Sequence, residues 1–268
     1  MYTFLTLALN GRINFSVQNA HMTKPVIPWA AHALQVALFS NTVFPIGENY
    51  FSALLGVEPD TSEDRPREGV RTQVGAVDGA HVQIGITPLR LDVVFSPPPQ
   101  AASLDVEGIR TSIGPFVPEL RKFSNLILKW VEGIDTPLVR VAFIGAAIAD
   151  AASREEAYDL LANSVKSLAV SPEMTDLVYR VNWRATTSTL TEGFFNRLTT
   201  WTAQKLDLSA GFNPQSVVKV GTRNFAKLDI DINTPAERRD PLPRADIPKL
   251  LSEIFELAVD IAEHGEPA

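Results

Sequence analysis

Residues 82–99 read VQIGITPLRLDVVFSPPP, and residues 218–235 read VKVGTRNFAKLDIDINTP. The two stretches rhyme. A short β-rich run ends at Gly85 or Gly221. An acid-bearing run follows, Leu91-Asp92-Val93 or Leu228-Asp229-Ile230, and prolines then close it. A long amphipathic pattern comes after each. In the first, Phe116, Leu120, Phe123, Leu126, Ile127 and Trp130 recur at threes and fours. In the second, Ile247, Leu250, Leu251, Ile254, Phe255, Ala258 and Ile261 do the same. On a helix such spacing makes one apolar stripe that must be covered. The order strand, strand, prolines, helix therefore predicts an α+β fold built by internal duplication. It has two similar halves, each a mainly antiparallel sheet with a long amphipathic helix packed on one face. The halves are 1–135 and 136–268, either separate or with their sheets joined into one continuous domain.

Local signals fill in this plan. Asn10-Gly11 between alternating runs predicts a hairpin, as does Asp78-Gly79 within Val70 to Ser96, which reads as three strands. Ala33 to Ser40 suits strand or helix equally, because the run is too short for periodicity to decide. Gly47 to Gly56 reads as a short helix closed by Gly56, and Asp60 to Gly69 as a polar loop. PLVRVAFIGAAIAD is an apolar strand. Ser153 and Glu156 have capping-box spacing ahead of a helix. Two β-branched and aromatic strands follow, then a pair, SVVKVG and NFAKLDIDIN. The last helix runs from Ile247 to His264, with Asp246 as N-cap and Gly265 beyond its end.

The chain has 268 residues, 45% hydrophobic and 21% charged, with a formal charge of -7 and no cysteine. That composition suits a globular core and excludes disulfides and thiolate metal sites. A net negative surface opposes non-specific binding to nucleic acid. No apolar run reaches the ~20 residues of a membrane helix. The expectation is a cytoplasmic protein with no membrane partner.

Catalytic motifs are missing. There is no Gly-x-Ser-x-Gly, no His-Glu-x-x-His, no Gly-x-x-x-x-Gly-Lys and no Gly-x-Gly-x-x-Gly, so neither a catalytic residue nor a cofactor is assigned. Asp229 and Asp231 are the metal candidates. On a strand they share one face, about 7 Å apart, and a two-metal site would need a third acid such as Asp92 or Glu192. The same alternation is what the wet face of a half-covered sheet looks like. A cluster of aromatic and cationic side chains, Trp183, Arg184, Phe194, Phe195 and Trp201, surrounds a Thr-rich turn. Such residues serve either as cross-strand core partners or as a protein-binding patch.

The LDIDIN strand before the C-terminal helix, and the PLVRVAFIG strand after a mid-chain helix, resemble a sporadically distributed, uncharacterised family of bacterial and archaeal proteins of about this size. The resemblance spans most of the chain. It implies a mobile-element or defence-associated role and assigns no activity, so no catalytic residue is carried over. Two functions follow as expectations. The first is a non-enzymatic protein-interaction or assembly component, of which an antitoxin-like role is one version, whose acidic surface suits a basic partner. The second is a metal-dependent phosphodiesterase or nucleotidyl enzyme using Asp229 and Asp231.

Overall fold

The computed structural model describes residues 27–99, 111–171, 173–191, 193–210 and 218–267. The Asn10-Gly11 hairpin expected from the sequence lies outside them, as does Glu192. Turn chemistry builds one flank of a sheet. β1 is Ala30–Ser40 and β2 is Thr61–Arg65. β3 (Val70–Val77) and β4 (Ala80–Thr87) meet at Asp78-Gly79, with φ of 49° and 77°. Paired positive φ angles give a hairpin turn whose twist matches its strands. β5 (Arg90–Ser96) pairs with β4, and β1 pairs with β5. The other flank is β6 (Leu138–Ala151), β7 (Val178–Thr186), β8 (Phe194–Ala210) and β9 (Val218–Asn233). All pairings are antiparallel, and the order is β2-β3-β4-β5-β1-β6-β9-β8-β7.

This single nine-stranded sheet overturns the expectation of two similar halves. β1 and β6, which stand on opposite sides of residue 135, are neighbours at its centre, paired from Ala30↔Ile148 to Ser40↔Leu138. The rhyme that suggested duplication has two different geometries. In the first stretch the glycine-ended run and the acid-bearing run are separate strands, β4 and β5, turned at Pro88-Leu89. In the second they are one strand: Thr222, Arg223 and Asn224 continue the ladder opposite Asp207, Leu206 and Lys205. Pro88 has no N–H for a ladder and a fixed φ that suits a turn. The equivalent place in β9 has no proline.

The helices are α1 (Tyr50–Leu55), α2 (Phe116–Val131), α3 (Arg154–Ser164) and α4 (Ile247–His264). α2 and α4 do not each cover a sheet of their own. The Phe123 ring lies 6.1 Å from that of Phe255, and both approach Phe143 at the centre of the sheet, at 6.4 and 5.5 Å. Their stripes join one core with Leu34, Val36 and Leu38 of β1, Ile84 of β4, Val93 of β5, and Leu228, Ile230 and Ile232 of β9. Each such side chain contributes about 1.5–3 kcal/mol by leaving water. α1 starts with Asn49 Oδ1 accepting the Ser52 N–H and ends at Gly56, φ 73°. Its Phe51 ring packs so close to β3 that a Cβ on Gly75 would stand 2.6 Å from Phe51 Cζ. At α3 Ser153 caps the helix, its Oγ accepting the Glu156 N–H, while the Glu156 carboxylate reaches one residue past the cap and accepts the Ala152 N–H. At α4, Asp246 makes no side-chain cap; its carboxylate meets Lys249 Nζ at 3.0 Å.

Candidate partner-binding edge and open sheet face

Alternation along the strands sends one set of side chains to the helices and the other to the opposite face. Asp229 and Asp231 belong to the second set, since Leu228, Ile230 and Ile232 are core. The structure does not bring the two aspartates to a common ligand. Lys227 Nζ pairs with Asp229 at 3.0 Å, and Asn233 Nδ2 donates to Asp231 at 2.8 Å. Asp92 is on the same face, but β1 and β6 separate β5 from β9, about 14 Å at the usual strand spacing. Asp92 is engaged by Arg90 and Gln35. Among the described residues no group of three or more His, Asp or Glu side chains is placed to hold a metal ion.

The aromatic set divides. Phe195 and Trp201 of β8 have no accessible surface; they are core side chains, and Trp201 lies 6.2 Å from Trp29. Trp183 of β7 is 40% exposed, and the Arg184 guanidinium stacks 4.4 Å from the Phe194 ring centre. Three of the five expected partner-binding residues are therefore at the β7–β8 hairpin surface and two are beneath it. A sequence run cannot separate them, because alternate residues of one strand face opposite ways.

The two ends of the sheet differ. β2 is short and reads TSEDR, with Arg65 bridged to Glu63 and Asp64 to Arg71. Short, charged strands are how sheet edges avoid pairing with other chains. β7 reads VYRVNWRAT, has β8 on one side and, among the described residues, no strand on the other, and carries no acid. Val178 is 71% exposed, and every β7 residue is exposed or half-buried. Alternate residues of such a strand turn their N–H and C=O groups away from the ladder. The signal was in the sequence, in a β-rich run with Arg180 and Arg184 and no counter-charge. Its edge position was not.

Two carboxylates, Glu266 just past the end of α4 and the half-buried Glu253 within it, hold this flank. Glu266 has no accessible surface. It accepts from the N–H groups of Lys166 and Ser167, from Ser167 Oγ and from Tyr179 Oη at 2.6 Å. Burial pushes the Glu266 carboxyl up, but the donors of Tyr179, Ser167 and Lys166 outweigh it and hold its pKa below the ordinary carboxylate value. The bond to Glu266 raises the Tyr179 phenol. Glu253 of α4 accepts from Ser188 Oγ at 2.6 Å and Thr189 Oγ1 at 2.7 Å in the β7–β8 turn. Burial opposes its ionisation too, and the hydroxyls of Ser188, Thr187 and Thr189 overcome it, lowering its pKa. Beneath β7, Arg197 is buried. Desolvation lowers its guanidinium pKa, against the pull of Asp260.

A cavity of about 500 Å³ lies between α2 and the β3–β4 hairpin, lined by Leu34, Val77, Phe95 and Phe123, with Glu119 and Lys122 at its rim. No helix among the described residues is long and apolar enough to cross a membrane. No model of a known protein family matches the chain, and no curated protein matches it either.

Proposed function

We propose that this protein is a non-enzymatic interaction module that takes an extended segment of a partner protein along β7, as an added strand. The observation that carries the reading is an edge that no strand of the described residues covers: nine residues, β-rich, without an acid, on a sheet whose other edge is short and charged. Main-chain bonds to an exposed edge supply affinity in such complexes, and side chains at alternate positions supply selectivity. Arg180 and Arg184 share one face of β7 and form no ion pair with any described residue. They favour an acidic segment, in contrast to the basic partner that the net charge of the chain suggests. A second copy of the chain fits less well. Antiparallel self-pairing centred on Asn182 would set Arg180 against Arg184 of the other copy, and opposed like charges destabilise a strand pair. Trp183 lies on the other face and offers an apolar contact. The family resemblance adds a mobile-element or defence setting without naming a partner.

The test is selection of displayed peptides on the immobilised protein, with a doubly reversed Arg180→Glu, Arg184→Glu protein as control. Acidic peptides of β character should be enriched and should lose about tenfold or more in affinity on the control. Selected peptides that bind both proteins equally, or that protect no β7 amide from exchange, would refute the reading.

A further inference from the structure

The centre of the open face carries a second arrangement, independent of β7. Phe39 of β1 stands directly opposite Arg90 of β5 on one side and Arg140 of β6 on the other. The two guanidiniums lie 5.1 and 4.8 Å from the centre of its ring. The ring is thus clasped between two cations, one from each flanking strand. Each contact is favourable, because the face of an aromatic ring is electron-rich.

The two arginines are not equivalent. Arg90 is neutralised locally: its Nη2 donates to Asp92 Oδ1 at 2.9 Å, and its Nε lies 2.7 Å from Asp92 Oδ2, off the line a hydrogen bond needs. Gln35 Nε2 also donates to Asp92, at 2.8 Å, and holds it in place. Arg140 has no acid of the described residues within ion-pair distance, and its Nε is buried without a hydrogen-bond partner among them. Arg65, Arg71 and Arg223 each meet a carboxylate, whereas Arg140 shares its lack of one among the described residues with Arg180, Arg184 and Arg197 but alone among these is clasped with a second arginine on one ring. A half-buried guanidinium is costly unless a counter-charge reaches it. The cluster Arg90, Asp92 and Arg140 retains one net positive charge on a protein that is otherwise negative.

We propose that Arg140, backed by Phe39 and Arg90, is a binding site for a phosphate group. Guanidinium presents a planar fork of donors that matches a phosphate oxyanion, and Phe39 fixes the fork by stacking on it. The chemistry is shared by free phosphate and by phosphomonoesters such as a nucleoside monophosphate. Asp92 neutralises Arg90, so the cluster offers one net positive charge and suits a single phosphate rather than a run of them.

The experiment is calorimetric titration of the full chain with inorganic phosphate and, separately, with adenosine monophosphate, alongside ¹⁵N spectra of the arginine Nε–Hε groups. At least one ligand should saturate, and the Arg140 Nε–Hε resonance should shift with it. Tighter binding of the monophosphate would assign the site to a phosphomonoester; equal or tighter binding of phosphate would assign it to the free ion. Arg140→Gln should weaken binding about tenfold or more. Arg140→Lys, which keeps the charge and loses the fork, should fall between the two, and Arg65→Gln, on β2, should leave binding unchanged. The proposal is overturned if neither ligand binds. It is equally overturned if Arg140→Gln, shown to be folded by its amide spectrum, binds as the wild type does.

Discussion

β2 and β7 are the two ends of one sheet, and they handle the same physical problem in opposite ways. Both are covered on one side by a partner strand and have no strand of the described residues on the other. β2 is five residues, two acids and an arginine among them, with its ion pairs made locally. β7 is nearly twice as long, has cations without local counter-charges, and is fastened from behind by Glu266 and Glu253. The difference teaches that an edge can be stable without being closed. β2 is made unattractive to other strands. β7 is anchored so that it stays extended while its outer side remains unused.

If that contrast is right, damage beneath β7 should cost most and damage on β2 least. Trp201→Ala removes a fully buried indole under the β7–β8 pair. It should destabilise the protein by about 3–5 kcal/mol in urea unfolding, whereas Trp183→Ala, in the exposed row, should cost under about 1 kcal/mol. Equal losses for the two would break the core-versus-surface assignment. Next in size is Glu266→Gln. It leaves buried donors poorly matched and should cost about 1–3 kcal/mol, with faster amide exchange in β7 and unchanged exchange in β2.

The same latch has a pH signature. The folded pKa values of Glu266 and Glu253 are lowered relative to the unfolded chain. Their contribution is therefore complete above the ordinary glutamate pKa, and it is lost as pH falls through the lowered values. Exchange protection in β7 should collapse on acidification through that range, and Glu266→Gln should flatten the part due to this residue. A β7 that loses no protection in acid would count against the latch. Smallest of all, Arg65→Ala should change stability by no more than about 0.5 kcal/mol, because exposed ion pairs contribute little. A larger loss would mean that β2 does more than shield an edge.

Legibility followed burial. β3, β4 and β5 could be read because apolar alternation and Asp78-Gly79 agree. β2 could not, since a strand with no buried face carries no alternation, and its charges read as a loop. β9 looked like two strands because its middle, Thr222 to Asn224, is polar where it runs opposite Lys205 to Asp207. The placement of Asp229 and Asp231 on one face was legible from strand period. Their engagement by Lys227 and Asn233, and the distance to Asp92, depend on strand order. The Arg90–Phe39–Arg140 ladder had no sequence signal, because its members come from three strands brought side by side by pairings of long range.

The central β1–β6 pair has one more consequence, for how the chain reaches this state. The flanks are sewn from consecutive strands: β2 to β5 in turn on one side, β7 to β9 on the other. Their loops are short and can close early. The middle joins Ala30 to Ile148 and Ala142 to Asn233, contacts whose loop-closure entropy is the largest in the sheet. The strands that lie deepest in the finished molecule are thus the last to meet. Until they do, β1 and β6 each present bare apolar edges, so crowded or hot refolding should fail first at the centre of the sheet and not at its rims.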